Sequence, residues 1–342
     1  MKRKGFRRGL MRSAIPYALA AASALSMGLA HAADVGPSPP APRIWQPGIV
    51  SGPLHDSAPA FTPDGRHVYF GRSGGADTAR PTLYVSERAA IWSPPEIASF
   101  SGRFSDMEPA MAPDGSHLIF VSNRPIVKGG ALLDGHFNNR DFPAQGGALW
   151  RVDRTIGGWS EPQRLPDSIN TPQGASFAPA IAADGSLYFM RSDPQSGRFR
   201  LYRSSWSASG YGAPEPLSFS TGASTDVDPA VAPDQSFLVF GSGPARAAVA
   251  RGMDLFIVFR RADGGWGRPV HLGERVNAPG SDAEARLSPD HRTLFFSSER
   301  KTAHHPDAPW NNGLYNIWSM SLRSRMMAEL KHRSLSEASG GH

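Results

Sequence analysis

Five times along this chain nearly the same phrase recurs around a tight turn. It reads APAFTPDGRHVYF at 58–70, EPAMAPDGSHLIF at 108–120 and APAIAADGSLYF at 178–189. It returns as DPAVAPDQSFLVF at 228–240 and EARLSPDHRTLFF at 284–296. The turn aspartates are Asp64, Asp114, Asp184, Asp234 and Asp290, spaced by 50, 70, 50 and 56 residues. Self-similarity at such a period means one supersecondary unit used repeatedly, each copy burying its apolar face against the next.

The chemistry of one copy gives its strands. Pro fixes φ, Asp hydrogen-bonds the backbone just beyond it, and Gly accepts positive φ, so the phrase predicts a hairpin between two alternating runs. After a variable loop comes a third run: TLYVSE 82–87, ALWRVD 148–153, RLYRSS 200–205, DLFIVF 254–259 and NIWSMS 316–321. An aromatic residue then leads a Pro-containing fourth run, as in WSPPEI 92–97, WSEPQRL 159–165, YGAPEPL 211–217 and WGRPVHL 266–272. Four antiparallel strands per unit, repeated radially, make a β-propeller blade. Ala60, Ala110, Ala180 and Ala230 fall at equivalent places in the first strand, where converging wedges leave little room. Pro59, Pro109, Pro179 and Pro229 suit an innermost strand whose free edge needs no donor.

The last unit lacks a fourth run after NIWSMS, whereas RIWQPGIV at 43–50 stands unpaired before the first. The two ends therefore complete one blade between them. The fold expected is all-β: a β-propeller of five four-stranded blades over 43–322, closed by an N-terminal strand. A sixth blade needs roughly 40 further residues.

Outside that ring, Lys2, Arg3, Lys4, Arg7, Arg8 and Arg12 precede an Ala-rich apolar stretch ending in AHA at 30–32. This is a signal-peptide pattern over 1–32 with cleavage near Ala32/Ala33, so the expected location is periplasmic or secreted. Arg7-Arg8 fits a twin-arginine signal, while Phe6 in place of a polar residue keeps ordinary Sec export equally open. Residues 33–42 read as a Pro-rich linker, and 323–342 as a tail with a short helix, a disordered end and no role. Six of the 36 basic residues and none of the 30 acids lie in 1–32, which leaves 30 of each in the mature chain. A net charge of zero gives no basis for nucleic-acid binding. Cysteine is absent, so there is neither a disulfide nor a thiolate metal site. The mature chain is expected to be a monomer without a membrane span.

The phrase PAMAPDGSHLIFVSNR, together with WSEPQRLPDSINT at 159–171, resembles the TolB-type propeller repeat of bacterial envelope proteins. The resemblance covers about 43–322 and implies the propeller fold. In that family the propeller has six blades, follows an α/β domain and binds a peptidoglycan-associated lipoprotein. Here the blade count is smaller and the preceding domain is missing, so what carries over is the repeat and an expectation of an envelope partner.

Candidate chemistry gathers where the inner strands begin. Asp56, Asp106, Asp226 and Asp282 stand there, with Ser176 in the third unit; two residues later come Glu108, Asp228 and Glu284, with Ala58 and Ala178 in the other units. Seven carboxylates are thus expected around one mouth, either bonding their own loops or binding a ligand. Arg286 replaces the alanine of the other blades and is placed to pair with Glu284 or Asp228. Arg72, Arg124, Arg191 and Arg300 follow the second strands and are expected to ring the same face. Two insertions, 124–147 and 300–313, lie on that face too. His304, His305 and Asp307 resemble metal ligands only loosely; no metal or other cofactor is expected. No GxSxG, HExxH or phosphate loop occurs. The leading expectation is a non-catalytic module binding an envelope protein or glycan, with a five-bladed carbohydrate-active enzyme as the rival.

Overall fold

A computed structural model describes residues 41–74, 80–137, 140–171, 175–246, 252–302, 310 and 313–336. The expected signal peptide and cleavage site, and His304, His305 and Asp307, lie outside the described residues. The strands form five antiparallel blades of four strands, the second extended by the two-residue strand Gly158–Trp159, and two further two-stranded ribbons lie outside them. Their inner strands are His55–Phe61, Asp106–Met111, Ser176–Ile181, Asp226–Val231 and Asp282–Leu287. The second strands are His67–Ser73, His117–Ser122, Leu187–Ser192, Phe237–Ser242 and Thr293–Ser298, and the third Thr82–Glu87, Ala148–Thr155, Phe199–Ser204, Asp254–Phe259 and Asn316–Ser321. The outer strands are only two residues long: Glu96–Ile97, Gln163–Arg164, Glu215–Pro216 and Val270–His271, with Arg43–Ile44 completing blade five. Arg43 pairs with Ser319 and Ile44 with Trp318, so a strand from the start of the ring closes its last blade.

All five turns use the chemistry their sequences specify. Asp64, Asp114, Asp184, Asp234 and Asp290 each accept the backbone N–H two residues on, at 2.9–3.1 Å. The residue after each aspartate is left-handed, and Gln235 and His291 adopt the φ that Gly65, Gly115 and Gly185 adopt elsewhere. The core consists of five layers, each between neighbouring blades. Between blades one and two, for example, Ala60, Tyr69 and Leu83 meet Leu118, Phe120 and Trp150. The aromatic residue leading each outer strand sits in these layers. Trp159 packs edge-on against Tyr69 and donates Nε1–H to its hydroxyl at 3.0 Å.

The short helix expected in the tail is present, and it is docked on the ring. Ser324–Leu335 forms a helix whose Leu330 is buried in the layer between blades four and five. Ser334 Oγ accepts the Phe259 N–H and donates to the Arg268 carbonyl, and the Arg268 N–H returns to the Ser334 carbonyl. Arg323 at its N-cap makes no side-chain capping bond. Docking, not intrinsic propensity, therefore holds the helix, and it covers the short outer strand of blade four. Among the described residues no helix is long and apolar enough to cross a membrane.

Candidate functional site on the propeller axis

The structure divides the expected acids into two sets with different work. Asp56, Asp106, Asp226 and Asp282 have fully buried side chains, each paired within its own blade to an arginine. The contacts are Arg72 Nε–Asp56 Oδ1 and Arg124 Nη1–Asp106 Oδ1, both 2.5 Å, and Arg246 Nη2–Asp226 Oδ2 and Arg300 Nη2–Asp282 Oδ1, both 2.6 Å. These aspartates and arginines therefore do not present free charges at a mouth; they fasten the blades. Each arginine also donates to a carbonyl of the segment leading into its inner strand: Val50, Phe100, Phe219 or Val276. Each lies over the phenylalanine of its second strand, 4.8–5.3 Å from the ring centre. Blade three has Ser176 instead of an acid, and among the described residues Arg191 there donates to the Ser168 and Ile169 carbonyls. Burial pushes Asp56 up to about 6 although the Arg72 charge opposes it. Burial likewise raises Asp106 and Asp282 against Arg124 and Arg300.

Arg246 was not among the expected residues. Arg72 and Arg191 lie directly across from their inner-strand partners, and Arg124 and Arg300 two residues further on. Arg246 comes four residues beyond Ser242, from a short 3₁₀ turn, Pro244–Arg246. Its sequence signal was Asp226, an acid in the repeat with no arginine at either usual place.

The second set lines the axis. Ala58, Glu108, Ala178, Asp228 and Glu284 all have φ between 48° and 54°. Each marks a β-bulge, where pairing with the second strand skips. The prolines that follow four of them sit where the ladder is already interrupted, an explanation beyond the free edge inferred from sequence. A non-glycine residue in this conformation costs on the order of 1–3 kcal/mol, so five of them have to be held by the surrounding ring. Acids do part of the holding. Glu108 Oε2 accepts the Ala178 N–H at 2.6 Å and Asp228 Oδ2 the Glu284 N–H at 3.0 Å, each bond crossing to the next blade. Ser297 Oγ accepts the Ala58 N–H at 3.2 Å.

These carboxylates also share a field. Burial, then the nearby Asp228 and Glu284, push Glu108 up to about 8. Burial and Glu284 push Asp228 up to about 7. Glu284 Oε2 is buried without a hydrogen-bond partner. Tyr315, another residue not expected from sequence, lies beside this group: burial and the charges of Glu284 and Asp228 raise its hydroxyl, and its ring stacks on His55 at 5.0 Å. Arg286 does not form the expected ion pair. Its Nη1 donates to the Ala285 carbonyl at 2.8 Å, and its Nε reaches across the ring to Pro109 at 3.4 Å. Among the described residues no cluster of His, Asp and Glu has the arrangement of a metal site.

The raised acids have a pH signature. An acid whose folded pKa exceeds its unfolded value contributes most to stability below the unfolded value, near 4.3, and loses that contribution as pH rises through the folded one. For Glu108 the window runs from about 4.5 to about 8. Glu108→Gln keeps an acceptor for Ala178 and removes the titration. Its stability is expected to equal the wild type's near pH 5 and to exceed it at pH 8.5 by an amount on the order of a few kcal/mol, seen as a higher melting temperature. Parallel melting curves across that range, measured by circular dichroism, would remove Glu108 as the titrating group.

No family model matches the sequence, and no curated protein does. Similar solved structures include an α-L-arabinofuranosidase from Lactobacillus brevis, 12% identical with a TM-score of 0.50 over 78% of this chain and 90% of that one. A putative TolB from Agrobacterium tumefaciens is 18% identical, with a TM-score of 0.37 over 79% of this chain and 91% of the other. The GH43 protein BlXynB from Bacillus licheniformis is 12% identical, with a TM-score of 0.49 over 81% and 54%. At such identities the likeness is one of fold. Five four-stranded blades around one axis make this chain a five-bladed β-propeller.

Proposed function

We propose that the chain is an exported, non-catalytic binding module of the cell envelope, taking a polar segment of a protein or a glycan at the mouth around Glu284. The observation that carries this reading is the unpartnered Glu284 Oε2 in a ring whose other acids are committed. Asp56, Asp106, Asp226 and Asp282 are tied to arginines, and Glu108 and Asp228 hold bulges of neighbouring blades. Glycoside hydrolysis needs two carboxyl groups free to exchange protons on either side of one bond. Groups fixed to a backbone N–H suit recognition and support better. Export rests on the basic, Ala-rich start of the sequence.

One observation favours the rival enzyme reading. Glu108, pushed up to about 8, is a protonated acid at neutral pH close to Glu284, and such a pair can divide acid and base roles. A single experiment separates the two. The mature protein carrying a photo-reactive phenylalanine analogue at Tyr315 is irradiated with solubilised envelope, and the unlabelled protein is assayed on a panel of aryl glycosides. An adduct that Glu284→Gln abolishes, without glycoside turnover, supports binding. Turnover lost in both Glu108→Gln and Glu284→Gln establishes the enzyme instead.

A further inference from the structure

The opposite end of the axis, where the hairpin turns converge, is a funnel of about 260 Å³ with different chemistry. Its wall includes one equivalent inner-strand residue from each blade, Phe61, Met111, Ile181, Val231 and Leu287, with the prolines Pro59 and Pro179. Arg286 also lines it, and is the residue that breaks the ring's symmetry: the same position is Ala60, Ala110, Ala180 or Ala230 in the other blades. It is only 6% exposed, and its Nη2 has no hydrogen-bond partner. A buried guanidinium with an idle N–H is costly, because its desolvation is not offset by a bond. An alanine would complete the ring without that cost.

We propose that this funnel is a binding site for a small organic monocarboxylate, its carboxylate on Arg286 and its compact apolar body against the proline and aliphatic wall. Charge selects the head, since a carboxylate accepts from a guanidinium in the geometry that arginine presents. The wall selects the body: it offers few polar groups to replace the water that a sugar's hydroxyls would lose. Volume sets the size, lying just under the roughly 300–1,000 Å³ of sites for drug-sized ligands. Glu108 and Asp228 act electrostatically on Arg286 from the far side, and burial disfavours their charged forms. This site lies at the other end of the axis from the acidic mouth and is opposite in charge.

The test uses 3-phenylpropionate and its neutral analogue 3-phenylpropionamide, titrated calorimetrically into the mature protein at pH 6. The acid should bind, and the amide at least about tenfold more weakly, as expected for losing a hydrogen bond between charged groups. Arg286→Gln should abolish the preference for the acid. Leu287→Trp fills the wall while retaining Arg286 and should abolish binding of both, which keeps the proposal testable even where Arg286→Gln folds poorly. Equal affinity for acid and amide, preference surviving Arg286→Gln, or no binding of the acid at millimolar concentration would each overturn the assignment.

Discussion

A chain beginning at Ser51 is expected to lose its melting transition or to melt at least ~10 °C below a chain beginning at Ala33, and to aggregate on concentration. The segment removed holds the ring shut through three kinds of contact. Arg43 and Ile44 supply the outer strand of blade five, and the Trp45 N–H continues the ladder to the Ile317 carbonyl at 2.8 Å. The Trp45 ring meets Phe61, Trp92 and Phe295 edge-on at 5.3–5.4 Å, joining blade five to blade one. Val50 is fully buried, and its carbonyl accepts from Arg72 Nη2 at 2.8 Å. Losing them exposes the edge of Asn316–Ser321, a template for pairing with another chain. Trp45→Ala separates packing from closure. Large aromatic deletions cost about 3–5 kcal/mol when fully buried, and Trp45 is partly exposed, so the lower end applies. At roughly 2–4 °C per kcal/mol for a large domain, that substitution should lower the midpoint by less than the truncation does. Thermal unfolding followed by near-ultraviolet circular dichroism measures all three proteins. A Ser51 start that melts with the Ala33 chain would show that the ring closes without its N-terminal strand.

The ring was legible in the sequence because its information is local. A Pro-Asp-Gly turn between alternating runs specifies a hairpin at each copy, and the orphan run at 43–50 matched the missing partner of the last blade. The bulges were not legible in the same way. Glu108 and Ala178 share a left-handed backbone but nothing in side-chain chemistry, since the conformation is imposed by neighbouring blades. A second repeat is carried by single polar residues. Ser51, Ser101, Asn170, Ser220 and Asn277 recur before the inner strands, each after a large apolar residue. Each accepts the N–H of the third strand of an adjoining blade: Ile317, Leu83, Leu149, Leu201 and Leu255, at 2.7–3.2 Å. Only the pairing of a polar residue with a partner far away in sequence distinguishes this ladder from an ordinary loop.

The same distinction governs the candidate site. Residue type marked the acids correctly as unusual, but position along one strand cannot say which way each carboxylate is committed. Asp106 and Glu108 are two residues apart on blade two. One closes on Arg124 within the blade and the other on Ala178 in the next. What separated them was the bulge between them, which turns the second side chain toward the axis.

Asp106→Ala is expected to destabilise the protein by about 3–5 kcal/mol, because it strands the Arg124 guanidinium in a buried site. Arg124 would retain its bonds to Ser122 Oγ and the Phe100 carbonyl and its place over Phe120, but would lose its counter-charge. Ser101 Oγ would lose its acceptor as well, now 2.7 Å away. Blade three supplies the control. Arg191 already lacks an acidic partner, its Nε is buried without a bond, and burial lowers its pKa. Arg191→Met should therefore cost no more than about 1–2 kcal/mol, since it removes two carbonyl hydrogen bonds and a charge that burial disfavours. The double variant Asp106→Ala with Arg124→Met tests the reasoning, since removing both partners takes away the stranded charge. It should recover most of the loss seen in Asp106→Ala, giving a coupling of at least ~2 kcal/mol in a double-mutant cycle from urea unfolding. Additive effects, with the double variant less stable than either single one, would mean that Arg124 is held by its aromatic and carbonyl contacts and not by Asp106. In that case the five arginines would form a ring of cation–π clamps that tolerates serine in blade three, and the aspartates would be incidental to it.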